Sequence, residues 1–275
     1  MNRMRFFVIS FVFLLICSLA TKQVHAEEVI SVKTPQSGQL KFIFDMPPNP
    51  IATVLLFAGG NGYLGLSGEG RNFKLGKSMK NNFLVRTRKN FMSQGFAIAV
   101  LDTPQQKRKM NAVYRMSDAH AGDIGAVVTA VNKRTSAPVW LVGTSMGTFS
   151  APNGVKAHQG KVQGLVLTSS ITRSPVNWSI HDSHPDGIIN MELDSINVPV
   201  LITSHKDDGC DKTPAIDAAK LASAFSMAPV KEVKIFKGGS KPKSKPCQAL
   251  SQHGYIGIEK EVVGAIADFI KQHSS

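Results

Sequence analysis

The chain has 275 residues, 43% of them hydrophobic, and a formal net charge of +13. That length and apolar content can bury a full core, which excludes a disordered chain and fits one large α/β domain better than two small ones. The charge would suit a polyanion binder. No RNA- or DNA-binding motif accompanies it, however, and the lysines are spread over several segments. A basic soluble surface is the simpler reading, and nucleic acid is not expected as a partner.

At the amino terminus, Arg3 and Arg5 precede the apolar run Phe6 to Ala20, and Val24 and Ala26 stand as small residues at positions −3 and −1 before Glu27. This pattern predicts a secretory signal peptide over residues 1–26, with residues 27–275 as the mature domain and a periplasmic or secreted location. As a helix the apolar run spans about 22 Å, short of the roughly 30 Å hydrocarbon core, so no stable membrane anchor is expected after cleavage. Cleavage removes Arg3, Arg5, Lys22 and Cys17 and no acid, which leaves a basic chain with two cysteines, Cys210 and Cys247. An even pair in an exported protein reads as one disulfide.

Val29 to Phe44 alternates weakly and predicts opening strands or a hairpin, closed by Asp45-Met-Pro-Pro-Asn-Pro50. Ala52 to Phe57 is a continuous apolar run, as in a strand buried on both faces. A long, basic, glycine-rich stretch follows from Gly59 to about Asn82. Phe83 to Gln94 reads as a helix stopped by Gly95, and Phe96 to Leu101 as the next strand. Ser117 to about Lys133 predicts a second helix, with Asp118 in its first turn, where the helix dipole favours an acid. The strand from Pro138 runs into Gly143-Thr-Ser145-Met-Gly147 and a helix through about His158. Val162 to Thr168 and Val198 to Thr203 are strands, Pro214 to Met227 a helix, Val230 to Phe236 the last strand, and Tyr255 to Lys271 the closing helix. Alternation of this kind gives a mostly parallel sheet with helices on both faces. Ligands in such sheets bind beyond the carboxyl ends of the strands. The Gly59 loop, the Ser145 turn, the loop carrying Asp207 and Asp208, and the His253 loop all fall there.

A buried strand running into G-x-S-x-G and then a helix describes a nucleophile elbow, in which a tight turn lifts the serine hydroxyl clear of the sheet. A serine hydroxyl is a poor nucleophile at neutral pH and needs a base, which in turn needs an orienting acid. His253, after the last strand and before the closing helix, is the candidate base. His120, His158, His181, His184 and His205 read as solvent-facing or locally bonded. Asp207, Asp208 and Asp211 follow the Val198 strand, and the spacing His205-Lys-Asp-Asp208 ahead of Thr213-Pro214 favours Asp208 as the acid. For the oxyanion hole, one amide is expected from Met146 and the other from Gly60, in Ala58-Gly59-Gly60-Asn61-Gly62, with Asn61 the next choice. That glycine run lacks the Lys-Ser/Thr of a P-loop. Nothing in the sequence calls for a cofactor or a metal.

Four segments carry a family resemblance: Asn82-Phe-Leu-Val-Arg86, Gly143 to Thr148, His205 to Cys210 with Thr213-Pro214, and Pro246-Cys247 through His253-Gly254. On these the chain resembles exported bacterial members of the α/β-hydrolase superfamily over nearly all of the mature sequence. The resemblance implies the α/β-hydrolase fold, with a mostly parallel central sheet flanked by helices on both faces, and a Ser145-Asp208-His253 triad in the chain order usual for that fold. It says little of substrate. The leading expectation is a carboxylic-ester hydrolase working through an acyl-enzyme on a small-molecule or envelope-derived ester. Amide or thioester cleavage by the same triad, and a non-catalytic binding protein of the same fold, stay open, as does the oligomeric state. Residues from about Ser169 to Asn197 are read as a small cap, with Trp178 and Ile180 either walling an acyl pocket or pinning the segment to the core. Arg71, Lys74, Lys77 and Lys80, together with Lys241, Lys243 and Lys245, would crowd the mouth. They either attract an anionic ester or, more simply, form a solvated basic surface.

Overall fold

A computed structural model describes residues 26–36 and 38–274. The expected signal segment, residues 1–26, lies outside them except for Ala26. Among the described residues no helix is long and apolar enough to cross a membrane.

β1 (Glu28–Thr34) and β2 (Gly38–Asp45) form the expected antiparallel hairpin. They are followed by β3 (Thr53–Phe57), a short hairpin of β4 (Ser67–Glu69) and β5 (Asn72–Lys74), α1 (Phe83–Ser93) and β6 (Ala97–Leu101). Next come α2 (Ala112–Arg115), α3 (Asp118–Asn132), β7 (Val139–Thr144), α4 (Gly147–Ala157) and β8 (Gly164–Thr168). β9 (Val200–His205), α5 (Ala218–Ser223), β10 (Lys231–Phe236) and α6 (Glu259–Gln272) complete the chain. Eight strands make one sheet in the order β1-β2-β6-β3-β7-β8-β9-β10. β1, β2 and β6 pair antiparallel in turn, and every other pairing in the sheet is parallel.

The continuous apolar runs are the central strands. All of β3, β6, β7 and β8 is buried, because helices cover both faces of a parallel sheet. Successive side chains alternate between the two layers. Leu55, Phe57 and Leu141 pack with Ile124 of α3 and Val155 of α4. Val54, Leu56, Trp140 and Val142 pack with Phe91 of α1 and Ile266 of α6. Two helix starts follow local chemistry: Asn82 accepts from the Leu84 amide and Ser117 from the His120 amide, each satisfying an otherwise orphaned helix donor.

Several boundaries differ from the sequence reading. The closing helix begins at Glu259 rather than Tyr255, because Tyr255 (φ 57°) and Gly257 (φ 86°) both take left-handed backbone. The helix foreseen from Pro214 to Met227 contracts to a 3-10 turn at Ala215–Asp217 and α5. The glycine-rich stretch carries the β4–β5 hairpin, and the polar segment before α3 contains α2. Neither has enough periodicity to announce itself.

Candidate active site

The Ser145 turn is built from collisions avoided. A Cβ on Gly147 would strike the Phe57 carbonyl, and one on Gly143 would lie 2.5 Å from the Gly147 oxygen. With both positions free of side chains, β7 and α4 close directly on each other. Ser145 between them adopts φ 51°, a conformation costly for a residue with a Cβ. Its amide donates to the Thr168 carbonyl at 3.0 Å. The Ser145 carbonyl accepts from the Thr148 hydroxyl at 2.6 Å. The elbow is therefore fixed on both sides.

His253 lies in a 3-10 turn, Gln252–Gly254, beyond β10. Its Nδ1 sits 2.9 Å from Asp208 Oδ2, with the Asp208 side chain fully buried. The same carboxylate oxygen accepts from the Thr213 hydroxyl at 2.8 Å, and Oδ1 accepts from the Cys210 amide at 2.9 Å. Such donors replace the hydration that a buried carboxylate loses. Asp207 is exposed, and only its backbone amide is engaged, on His205 Nδ1. Asp211 is exposed and pairs with Lys212. Of the three aspartates, Asp208 alone meets His253.

The histidine turn is held from several sides. The Ser169 hydroxyl donates to the His253 carbonyl at 2.9 Å, and Arg86 donates to the Gly254 carbonyl while pairing with Glu259. Tyr255, wholly buried, donates to the Thr203 carbonyl at 3.0 Å, and burial pushes its phenol pKa up to about 12. The Cys210–Cys247 disulfide, with Cα atoms 4.5 Å apart, ties the Asp208 loop to the segment before His253. Among the described residues the non-glycine positions with positive φ are Ser145, Ser169 and Tyr255. All three stand at this one end of the sheet, where strained backbone is expected to collect in a working site. Ser169, Thr213 and Arg86 take part in the geometry, and the sequence reading assigned them no role. Ser169 reaches His253 across 84 positions, so no local pattern carries it, whereas Thr213 and Arg86 stand in segments that carry the family resemblance, Thr213 only five positions from Asp208.

Ser145 and His253 open into one cavity of about 350 Å³, lined also by Gly59, Gly60, Met79, Asn82, Phe83, Cys247 and Leu250. A wider hollow of about 750 Å³ lies at the opposite end of the sheet, around Pro138, Gln163 and Pro199, with Lys161 as its only charged lining residue. Gly60 adopts φ 55°. Among the described residues neither the Gly60 nor the Met146 amide has an acceptor within the protein. Gly59 must lack a side chain, since a Cβ there would lie 2.9 Å from the Ser145 Cβ.

Trp178 and Ile180 do not line this cavity. Ile180 is buried in the core and Trp178 packs against it, so of the two roles considered for them the pinning one is observed. Lys77 and Lys80 bracket the lining residues Ser78 and Met79, and Lys243 and Lys245 bracket Ser244. These four lysines are exposed, as are Arg71, Lys74 and Lys241. Of the other five histidines considered, His181 and His184 are bonded locally, to the Ser174 carbonyl and to Ser183, whereas His158, His205 and the buried His120 bond across the fold, to the Ala121 carbonyl, the Gly238 carbonyl and Ser150. Among the described residues the one grouping with metal-ligand spacing is Cys210, Asp211 and Cys247. Two of its three ligands are consumed by the disulfide.

No protein-family model and no curated protein matches the sequence. Solved structures do match. A cold-adapted esterase from an Arctic intertidal metagenomic library is 14% identical, with TM-score 0.58 and coverage of 92% of this chain and 96% of that one. Est1E from Butyrivibrio proteoclasticus is 13% identical, with TM-score 0.62 and coverage of 90% and 98%. XC6422 from Xanthomonas campestris, described as an α/β serine hydrolase without a lid, is 14% identical, with TM-score 0.57 and coverage of 90% and 94%. The fold of this chain is accordingly the α/β-hydrolase fold.

Proposed function

We propose that this protein is an exported serine hydrolase that cleaves carboxylic esters through an acyl-enzyme. The observation that carries the reading is the buried Asp208–His253 hydrogen bond beside a left-handed Ser145, with histidine and serine facing one cavity. In this mechanism Ser145 Oγ attacks the ester carbonyl carbon and gives its proton to His253 Nε2. Asp208 fixes the tautomer through Nδ1 and stabilises the imidazolium. The Gly60 and Met146 amides receive the oxyanion. Collapse of the tetrahedral intermediate breaks the C–O bond, and the leaving alcohol takes the proton from Nε2. Water, activated by the same histidine, then releases the acid and restores Ser145.

The esterase names of the structural neighbours support an ester as substrate, and the size of the cavity supports a short acyl group. The Cys210–Cys247 bond supports export, since disulfides persist in oxidising compartments. A fluorophosphonate probe should label the wild-type protein, and Ser145→Ala should lose the label with its circular dichroism unchanged. Labelling of Ser145→Ala at the wild-type rate would reject the assignment. A panel of p-nitrophenyl esters of rising chain length, with a matched amide and thioester, separates ester cleavage from the other acyl transfers this triad can perform.

A further inference from the structure

Behind the oxyanion loop lies a polar network that the reaction above does not use. Arg115, at the end of α2, is completely buried. Burial pushes its pKa down to about 9, so it remains a cation at neutral pH. Its Nη1 donates to Ser150 Oγ on α4 at 2.8 Å, and Nη2 donates to the carbonyls of Ala58 at 3.1 Å and Gly60 at 3.3 Å. Ser150 Oγ also lies 2.9 Å from His120 Nε2. His120 Nδ1 faces Asp123 Oδ2 at 3.8 Å, and the Tyr114 hydroxyl donates to that same oxygen. Burial pushes the His120 pKa down, so the ring is neutral. One proton arrangement serves the two short contacts, with the Ser150 hydroxyl donating to Nε2 and Arg115 donating to Ser150 Oγ; Nδ1 then carries the proton and faces Asp123, too far away for a hydrogen bond. Asp123, His120 and Ser150 are the residue types of a triad, but all three side chains are buried. The network holds structure in place and has no access to substrate.

We propose that Arg115 is a positioning residue: its guanidinium braces the Gly60 loop against α4 and so sets the spacing and aim of the two oxyanion amides. The proposal rests on the ester-cleaving reading of the site. Gly60 belongs to the loop and Met146 leads into α4, so the two donors sit on separate elements. Arg115 touches both elements, the loop through Ala58 and Gly60 and the helix through Ser150. Asn153 of α4 strengthens the helix side by donating to the Arg115 and Ser117 carbonyls, both at 3.0 Å. On the loop side the peptide planes decide the aim. In a trans peptide the N–H points opposite the preceding carbonyl. The Gly59 carbonyl accepts from the Gly62 amide at 3.1 Å, which turns the Gly60 N–H the other way. Arg115 holds the carbonyls of the peptide planes on either side, so the Gly59–Gly60 plane cannot rotate freely. A Cβ on Gly62 would lie 2.7 Å from Arg115 Nη2, so the loop is wrapped directly on the guanidinium. Arginine suits the role because its planar fork reaches several acceptors at fixed angles, which a lysine ammonium cannot do.

The test compares wild type, Arg115→Lys, Arg115→Met and Ser150→Ala on a short-chain p-nitrophenyl ester, below the unfolding temperature of each. Removing one oxyanion donor outright costs about 10²–10³ in kcat. Misaiming the donors through Arg115→Met should therefore lower kcat by about 100-fold with KM little changed. Arg115→Lys should recover part of that loss, and Ser150→Ala should fall between Arg115→Lys and wild type. Affinity for a trifluoromethyl ketone, whose adduct carries the oxyanion, should fall in step with kcat/KM, which general loosening of the protein would not produce. Hydrogen exchange of the backbone over residues 58–64 should quicken in the Arg115 variants, a readout that needs no activity. A folded Arg115→Met with wild-type kcat and unchanged exchange overturns the proposal. If Arg115→Met does not fold, the same criterion applied to Arg115→Lys decides. A wild-type protein inert to both ester and fluorophosphonate would instead reject the ester-cleaving reading, and exchange would still report whether Arg115 holds the loop.

Discussion

Asp208→Asn replaces one carboxylate oxygen with an NH₂ group and changes almost no volume, so its effect reports hydrogen-bond direction. The Cys210 amide holds Oδ1 at 2.9 Å, and the amide oxygen of the asparagine takes that place. The NH₂ group then occupies the Oδ2 position, 2.9 Å from His253 Nδ1. A donor now faces a donor. The Thr213 hydroxyl can rotate to accept, but His253 can accept at Nδ1 only by moving its proton to Nε2. Nε2 would then present N–H to Ser145 instead of a lone pair, and the base catalysis proposed for His253 would stop. In the best-studied serine protease this wrong-tautomer effect costs about 10⁴ in kcat, equivalent to about 5 kcal/mol of barrier. Asp207→Asn, on an exposed side chain whose backbone amide alone is bonded, should change kcat by less than about threefold, as surface substitutions do. The assay is steady-state hydrolysis of a p-nitrophenyl ester, with thermal unfolding followed in parallel. Equal, mild losses from both variants would refute the assignment of Asp208 and the tautomer reasoning with it.

Three further outcomes are expected. Gly59→Ala should lower kcat by at least about tenfold, read on the same ester, because its Cβ would press on the Ser145 Cβ at 2.9 Å and the Thr144 carbonyl at 3.0 Å and move the proposed nucleophile out of line. Wild-type turnover in that variant would mean the loop relaxes away. Thr213→Val removes one donor from the buried Asp208 carboxylate. A hydrogen bond to a charged group is worth about 1.5–3 kcal/mol, so stability to urea should fall by an amount in that range, and a change below about 0.5 kcal/mol would deny the bond its weight. Reduction of Cys210–Cys247, which spans 37 positions, should lower stability by about 3–4 kcal/mol in the chain-entropy model. Ester turnover at 25 °C should drop only modestly, since Ser169, Arg86 and Tyr255 also hold the histidine turn. Free alkylation of both cysteines without reductant would remove the bond altogether.

The contrast between Ser145 and Arg115 shows what a single sequence can and cannot carry. The elbow was legible because its constraint is local: Gly143 and Gly147 flank the serine within five residues, and the strand that must precede it is a five-letter apolar run. Asp208 and His253 were legible at one remove. Each follows a strand whose carboxyl end must face the elbow, so topology supplies the meeting that sequence distance hides. Arg115 had neither advantage. It sits at the end of the four-residue helix α2, in a polar stretch without periodicity, and reads as one more surface cation in a basic chain. Its partners are carbonyls and a helical serine 35 to 57 positions away. Backbone carbonyls are identical in every residue, so an arginine that recognises them leaves no complementary letter in the sequence. The same holds for Ser169, which grips the carbonyl of His253. Residues proposed to react are constrained by chemistry that only a few side chains perform, and so show themselves. Residues proposed to hold them in place are constrained by distance, and distance is written only in the fold.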